Sequence, residues 1–207
     1  MSELLKNKMK IALAQLNPKV GDVKGNISKL ISIRNDLSKD VDIMVVPELY
    51  VTGYPIDDLV LRNDFLELVE NEISDLAKLT NDGKAAIILG SPRKDEDKIR
   101  NSVFVLDQGK ILSFRDKHNL PNTGVFDEQR IFTPGSLSGP VKIRETLIGL
   151  PICEDIWNET VIDCLSETGA EIIISINASP YTTKKIDQRM SVACLLYTSD
   201  AADDVHR

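Results

Sequence analysis

The chain has 207 residues, of which 42% are hydrophobic and 28% charged, a composition typical of a globular domain rather than a disordered or fibrous chain. Lys and Arg number 25 and Asp and Glu 32, so the net charge of −7 argues against nucleic acid or an anionic membrane surface as the main partner. No apolar run approaches the roughly 20 residues of a membrane span. The polar segment Met1–Lys10 lacks a signal-peptide core, so a cytosolic location is predicted. The three cysteines do not predict a disulfide framework.

Short apolar segments alternate with segments of helical periodicity along the chain. The predicted strands are Met9–Leu16, Val41–Val46, Ala85–Leu89, a hairpin of Asn101–Leu106 with Ile111–Asp116, then Leu147–Ile152 and Glu171–Ile176. The predicted helices carry Val23, Ile27, Leu30 and Leu37, then Leu66, Val69, Ile73 and Leu76, then Val161 and Leu165 before a capping Gly169. Strands that are apolar on both faces need cover on both, and three helices are too few to supply it. We therefore predict an α/β fold with two sheets face to face between outer helices, an α-β-β-α sandwich.

Four predicted strands end in polar residues that could carry chemistry, because a sheet fixes the backbone where its loops begin. These ends are Pro47-Glu48, Lys117-His118, Cys153-Glu154-Asp155 and Asn177-Ala178-Ser179. Taken singly, a glutamate or lysine is more often a solvated charge, and a cysteine a small buried side chain. A cysteine followed by two acids at a strand end is not a typical core pattern, so the combination points to a reactive thiol.

A thiol attacks as the thiolate, so Cys153 would need a base. His118 stands next to Lys117, and neighbours on a strand point to opposite faces, which disfavours a Cys–His pair. A carboxylate such as Glu48 is then the alternative base. No group of His, Cys, Asp or Glu has the spacing of metal ligands, and no glycine-rich phosphate-binding motif is present in the sequence, so no catalytic metal is predicted.

Four segments together resemble the carbon–nitrogen hydrolase (nitrilase) superfamily. They are PELYVTGYPIDDLVLR (47–62), RDKHNLPN with GVFDEQRIF (115–122 and 124–132), LPICEDIW (150–157) and INASPY (176–181). The pairing of TGYP-x-DDL with CEDIW most resembles the glutamine-hydrolysing domain of the glutamine-dependent NAD synthetases. The resemblance runs from about Met9 to Ala193, which predicts a partial hydrolase domain over 1–193, incomplete at its C-terminus. The final CLLYTSDAADDVHR does not continue the pattern, so 194–207 is predicted to be a non-native tail of adapter read-through.

The resemblance implies the same α-β-β-α sandwich and a Glu–Lys–Cys triad. By motif position Glu48 would be the general base, Lys117 the residue that stabilises charge, and Cys153 the nucleophile. Glu128 matches a second acid found near the triad, and the backbone N–H of Glu154 would bind the oxyanion.

The resemblance also implies a substrate, L-glutamine, and a setting for its hydrolysis. The glutamine-binding positions fall on Thr123, where the family usually has Tyr, and on Ser179 and Lys185. The family usually has Gly where Lys184 stands. The ammonia would feed a synthetase domain in cis that amidates deamido-NAD to NAD. ATP and Mg²⁺ are implied for that domain, which these residues do not contain, and no cofactor is implied for the glutaminase reaction.

Family members commonly assemble, so a homo-oligomer is expected of the full-length protein. Two alternatives stay open from the sequence. The first is a stand-alone amidase that acts on another small amide, and the second is a binding module whose site is catalytically inactive.

Overall fold

The computed structural model describes residues 8–124, 126–180, 186–187 and 190–192. Within these ranges the strands form two sheets, one of five strands in the order β1-β2-β3-β4-β5 and one of three in the order β6-β7-β8. The strands are β1 Ile11–Leu13, β2 Ile43–Val45, β3 Ala86–Asp95, β4 Lys98–Asp107, β5 Lys110–Asp116, β6 Val141–Ile143, β7 Thr146–Gly149 and β8 Ile172–Ile173. The α-helices are α1 Val23–Asp36, α2 Asn63–Leu79 and α3 Glu159–Glu167. In the described ranges three 3₁₀ helices cover Asp57–Leu61, Glu128–Arg130 and Cys153–Trp157.

The two sheets pack face to face through an apolar layer. The five-stranded sheet contributes Ile43, Val45, Ile88, Val103 and Val105, and the other side contributes Val141, Ile143, Ile148, Ile174 and Ile176. Helices α1 and α2 cover the opposite face of the five-stranded sheet in a second apolar cluster. Helix α3 lies on the outer side of the three-stranded sheet, where Leu165 contacts Gly149. The predicted α-β-β-α sandwich is therefore confirmed.

Local sequence signals explain how several elements begin and turn. Helix α1 begins after Asp22, whose Oδ1 accepts a hydrogen bond of 3.1 Å from the N–H of Gly25. The β4–β5 hairpin turns through Gln108 and Gly109, at φ 54° and 78°, the left-handed pair that suits a two-residue turn. Helix α2 buries Leu66, Val69, Ile73 and Leu76, the set that its periodicity predicts. Burying one such side chain stabilises the fold by about 1.5–3 kcal/mol.

Three expectations differ from the structure. Strand β3 continues beyond the predicted Leu89 to Asp95, and β4 begins at Lys98, before the predicted Asn101. Most of these added residues are polar, and Lys94 and Lys98 are exposed to solvent. Strand β6 is not predicted. The buried strand predicted over Glu171–Ile176 is shorter in the structure, because only Ile172–Ile173 pair with β7 and Ile176 forms an isolated bridge with Ile152. The side chain of Ile173 is 39% exposed, since α3 covers that outer face only in part.

No helix in the described ranges is long and apolar enough to cross a membrane. The predicted glutamine-binding Lys185 and the predicted tail over 194–207 lie outside the described residues.

Candidate active site

Glu48 is held at the end of β2 by a tight turn. Its side chain is 1% exposed, and the following Leu49 has a φ of 49°, in the left-handed region. Strand β3 contacts this turn at Gly90, where a Cβ would lie 2.4 Å from the carbonyl oxygen of Pro47. Only glycine allows that approach without displacing the backbone that carries the carboxylate.

Lys117 follows β5 directly and extends into the interior. Its backbone N–H donates to the carbonyl of Asn101 at 2.8 Å, and its own carbonyl accepts from the N–H of Gly135 at 2.8 Å. The side chain is fully buried, and its Nζ lies 2.7 Å from Glu48 Oε1 and 2.9 Å from both carboxylate oxygens of Glu128. One ammonium therefore bridges two carboxylates away from solvent.

The electrostatics of this cluster are unbalanced, because two acids share one cation. Burial alone would lower the pKa of Lys117, but the charges of Glu48 and Glu128 more than offset it and hold that pKa above its usual range. Burial raises the pKa of Glu128, against the opposing charge of Lys117. The hydroxyl of Tyr54 donates to Glu128 Oε1 at 3.2 Å, and burial together with the carboxylates raises the pKa of Tyr54, so it stays a donor.

Cys153 is the first residue of the 3₁₀ helix Cys153–Trp157. Its φ is 47°, a strained conformation for a residue with a side chain, and its N–H donates to the carbonyl of Ile176 at 2.9 Å. Its Sγ lies 3.2 Å from the Oγ of Ser179. Burial, and then the charge of Glu48, raise the pKa of the thiol to about 11, while Lys117 opposes the shift. The thiol is therefore neutral near pH 7 and needs a base before it can attack.

Two consecutive residues connect the thiol to the carboxylate. The N–H of Ala178 donates to Glu48 Oε2 at 2.9 Å, and the next residue, Ser179, contacts the thiol of Cys153. The predicted strand ends thus meet at one place. Glu48, Lys117, Cys153, Glu128 and Ser179 form the cluster that we call the Lys117 site.

Sequence reasoning missed Asn101 on β4. Its Nδ2 donates to Glu48 Oε1 at 2.9 Å, so this oxygen accepts from both Asn101 and Lys117. Its Oδ1 is buried without a hydrogen-bond partner among the described residues. An asparagine and a serine at 101–102, where the buried part of β4 begins, are the signal that could have found it.

Other predicted residues lie at the edge of the site or away from it. Thr123 is exposed, and its carbonyl accepts a hydrogen bond from the N–H of Phe126 at 3.2 Å. Glu154 is half-buried beside Cys153. The ring Nδ1 of His118 lies 2.8 Å from the carbonyl of Gly135, so His118 is engaged elsewhere. The roles predicted for Thr123 and Glu154 stay predictions.

The described residues contain no group of three or more His, Cys, Asp or Glu side chains placed to hold a metal ion. The carboxylates of the Lys117 site accept hydrogen bonds from Lys117, from the side chains of Tyr54 and Asn101 and from a backbone N–H group.

Comparison with known proteins identifies the family. A sequence profile of the carbon-nitrogen hydrolases matches residues 10–193. The chain therefore belongs to the carbon-nitrogen hydrolase family. This hydrolase is 36% identical over 187 residues to a glutamine-dependent NAD(+) synthetase of Rhodobacter capsulatus, covering 90% of the chain and 34% of the relative. It is 39% identical over 181 residues to the enzyme of that name from Thermotoga maritima, covering 86% of the chain and 31% of the relative.

Solved structures give the same picture. The hydrolase superimposes on a glutamine-dependent NAD+ synthetase from Acinetobacter baumannii with a TM-score of 0.81 at 35% identity, covering 87% of the chain and 34% of that protein. An amidase from Nesterenkonia sp. shares the fold, with a TM-score of 0.73 at 18% identity over 86% of the chain and 68% of the amidase. The chain spans about a third of the length of the curated relatives that it matches.

Proposed function

We propose that this carbon-nitrogen hydrolase releases ammonia from the side-chain amide of L-glutamine through a thioester on Cys153. The observation that carries the proposal is the buried arrangement in which the Lys117 ammonium contacts Glu48 and Glu128 beside a neutral thiol. The names of the relatives, glutamine-dependent NAD(+) synthetases, support glutamine as the amide.

The first half of the reaction forms the thioester. Glu48 takes the proton of the Cys153 thiol as the sulfur attacks the amide carbon, which converts the carbonyl oxygen into an oxyanion. The Lys117 ammonium and the backbone N–H of Glu154 stabilise that oxyanion. Fixed donors in a site that excludes water contribute about 3–4 kcal/mol each to stabilising such a transition state.

The collapse of this intermediate releases ammonia. Glu48 returns the proton to the leaving nitrogen, the carbon–nitrogen bond breaks, and a thioester between Cys153 and the γ-carbonyl remains. Water then attacks the thioester as Glu48 takes its proton, and the departing thiolate recovers that proton. The products are glutamate, ammonia and the resting thiol, so no redox step is needed.

Four further residues assist this reaction without taking the proton. Glu128 gives Lys117 a second carboxylate, which keeps the ammonium charged in a buried place and fixes the direction of Nζ. Ser179, in contact with the thiol, together with Thr123 and Lys185 would hold the substrate.

The chain would act as part of a larger enzyme. Ammonia would pass to a synthetase domain in cis, where ATP and Mg²⁺ serve the amidation of deamido-NAD to NAD. A hydrolase domain over 1–193 with a non-native tail over 194–207, a homo-oligomer of the full-length protein and a cytosolic location remain predictions. The genomic sequence after codon 193 tests the first of these, because a following ATP-binding domain is expected there.

An ammonia-release assay tests the proposed reaction. The purified chain, with folding verified by circular dichroism, is given L-glutamine, L-asparagine and short aliphatic amides, and a Cys153→Ala variant serves as the control. We expect release from glutamine that the control lacks. Release from the other amides alone would instead identify an amidase of different specificity, and no release from folded protein would favour a binding module.

A further inference from the structure

The carboxylate of Asp155 is buried and surrounded by N–H groups. Asp155 is 3% exposed. Oδ1 accepts hydrogen bonds from the backbone N–H of Asn119 at 2.7 Å and of His118 at 3.1 Å, and Oδ2 accepts from the N–H of Ile152 at 3.1 Å. The Asn119 amide adds a contact of 3.3 Å. In the described part of the chain its hydrogen-bond partners are all N–H groups, without an ion pair.

These partners come from both sides of the Lys117 site. His118 and Asn119 directly follow Lys117, whereas Ile152 directly precedes Cys153. One carboxylate therefore ties the loop that carries the cation to the turn that carries the thiol. A helix cap alone would explain the bond to Ile152, because Asp155 lies in the first turn of the 3₁₀ helix, but not the bonds to residues 36 and 37 positions earlier.

The chemistry of this position calls for a carboxylate. Three backbone N–H groups converge on it, and an ionised carboxyl is a side chain with two oxygens that only accept hydrogen bonds. Asparagine would turn an NH₂ group toward an N–H, and alanine would leave the donors without partners. Burial raises the pKa of Asp155, and the N–H groups of Asn119 and Ile152 oppose that shift.

We propose that Asp155 is a positioning residue that holds the Lys117 ammonium and the Cys153 thiol in register for the transition state. This inference rests on the proposed glutaminase function for its kinetic readout. The backbone of Lys117 is already fixed by its hydrogen bonds to Asn101 and Gly135. Asp155 fixes the backbone of the two residues that follow Lys117. A displacement of about 1 Å between reacting groups can lower a rate about 100-fold.

The test is Asp155→Asn in the whole chain, with two controls. Asp36→Asn makes the same change at an exposed residue at the end of α1, and Val69→Ala destabilises α2 away from the site. We expect Asp155→Asn to lower kcat for glutamine about 100-fold with KM within about threefold. Val69→Ala should lower the melting temperature and keep kcat, which separates positioning from general stability.

A second readout does not depend on the substrate. Iodoacetamide labelling of Cys153, measured by peptide mass spectrometry relative to Cys164, should rise at least about fivefold in Asp155→Asn, because a loosened turn exposes the buried thiol. If wild type releases no ammonia from glutamine but this ratio rises, the proposed function fails and the positioning role stands. Unchanged labelling, or a kcat that follows the melting temperature across all the variants, would overturn the positioning role.

Discussion

Among the described residues, two ion clusters that contain a buried cation differ in their balance of charge and in the exposure of their acids, since Asp82 beside Arg34 is exposed and the acids beside Lys117 are buried. Arg34 is 4% exposed. Its two terminal nitrogens donate hydrogen bonds to Asp82 at 2.9 and 2.8 Å, and its Nε donates one to the carbonyl of Ala85 at 2.9 Å. That pair joins α1 to the segment before β3, with one cation for one anion. At the Lys117 site one cation faces two anions and a neutral thiol.

The difference teaches that burial of charge does not by itself identify a reactive site. All three nitrogens of the planar Arg34 guanidinium donate hydrogen bonds, to one carboxylate and one carbonyl, so Arg34 stabilises the fold. In the Lys117 site the ammonium is paired with two carboxylates, so one of them can accept a proton while the other remains paired. A carboxylate beside a neutral thiol is the feature that makes proton transfer feasible, and the second carboxylate helps by sharing the ammonium.

The largest expected effect distinguishes the two thiols of the described residues. Cys153→Ala should lower the proposed glutaminase activity by about 10⁴-fold or more with the fold retained, because the variant has no nucleophile. Cys164→Ala, on the outer helix α3, is the matched control and should keep wild-type activity. Steady-state ammonia release measures both. Comparable activity in Cys153→Ala would remove the nucleophile assignment.

The two carboxylates on Lys117 can be separated next. Glu48→Gln should cost about 10³-fold in kcat, because an amide cannot accept the thiol proton. Glu128→Gln should cost only about 10-fold, since the ammonium keeps one carboxylate and the proton path is intact. Kinetics with glutamine, at saturating substrate, give both values. Equal losses in the two variants would contradict a base assigned to Glu48 alone.

Sequence predicted much of this arrangement because strand ends are marked by abrupt changes from apolar to polar residues. The strands before Glu48, Lys117 and Cys153 are confirmed. The structure places Lys117 Nζ 2.7 Å from Glu48, and the consecutive residues 178 and 179 contact Glu48 and Cys153. The short strand β6 was missed because its Val and Ile flank a lysine, in a segment of polar residues and glycines. It forms a strand because it pairs with β7.

The bonds that complete the site could not be predicted in the same way. Asn101 and Asp155 contact residues 53 and 37 positions away, and one-dimensional periodicity does not indicate such pairings. The N–H of Ala178 that binds Glu48 belongs to a backbone, so no side chain in the sequence indicates it. These contacts depend on how the two sheets are stacked, which is decided by packing of the whole sandwich.

Exchange of the two kinds of cation tests the comparison directly. Lys117→Arg keeps the charge but brings a larger planar group into a fully buried niche, and should lower kcat about 100-fold. Arg34→Lys should leave kcat within about twofold but lower the free energy of unfolding by about 1–2 kcal/mol, because the paired bonds to Asp82 are lost. Turnover assays and urea unfolding of both variants provide the data. Near-normal turnover in Lys117→Arg would mean that only bulk charge is needed.

The smallest expected effect concerns stability at high pH. The folded pKa of Cys153 is about 11 against an ordinary 9.0, so between these values the unfolded chain releases a proton that the folded chain keeps. The Cys153 thiol therefore has no effect on the free energy of unfolding below about pH 9. As pH rises further the thiol lowers that free energy, by about 1 kcal/mol at pH 10. Urea unfolding at pH 8 and pH 10 should show a smaller loss in Cys153→Ala than in wild type, with Cys164→Ala following wild type. Identical losses in all three proteins would show that the buried thiol ionises as readily in the folded chain as in the unfolded one.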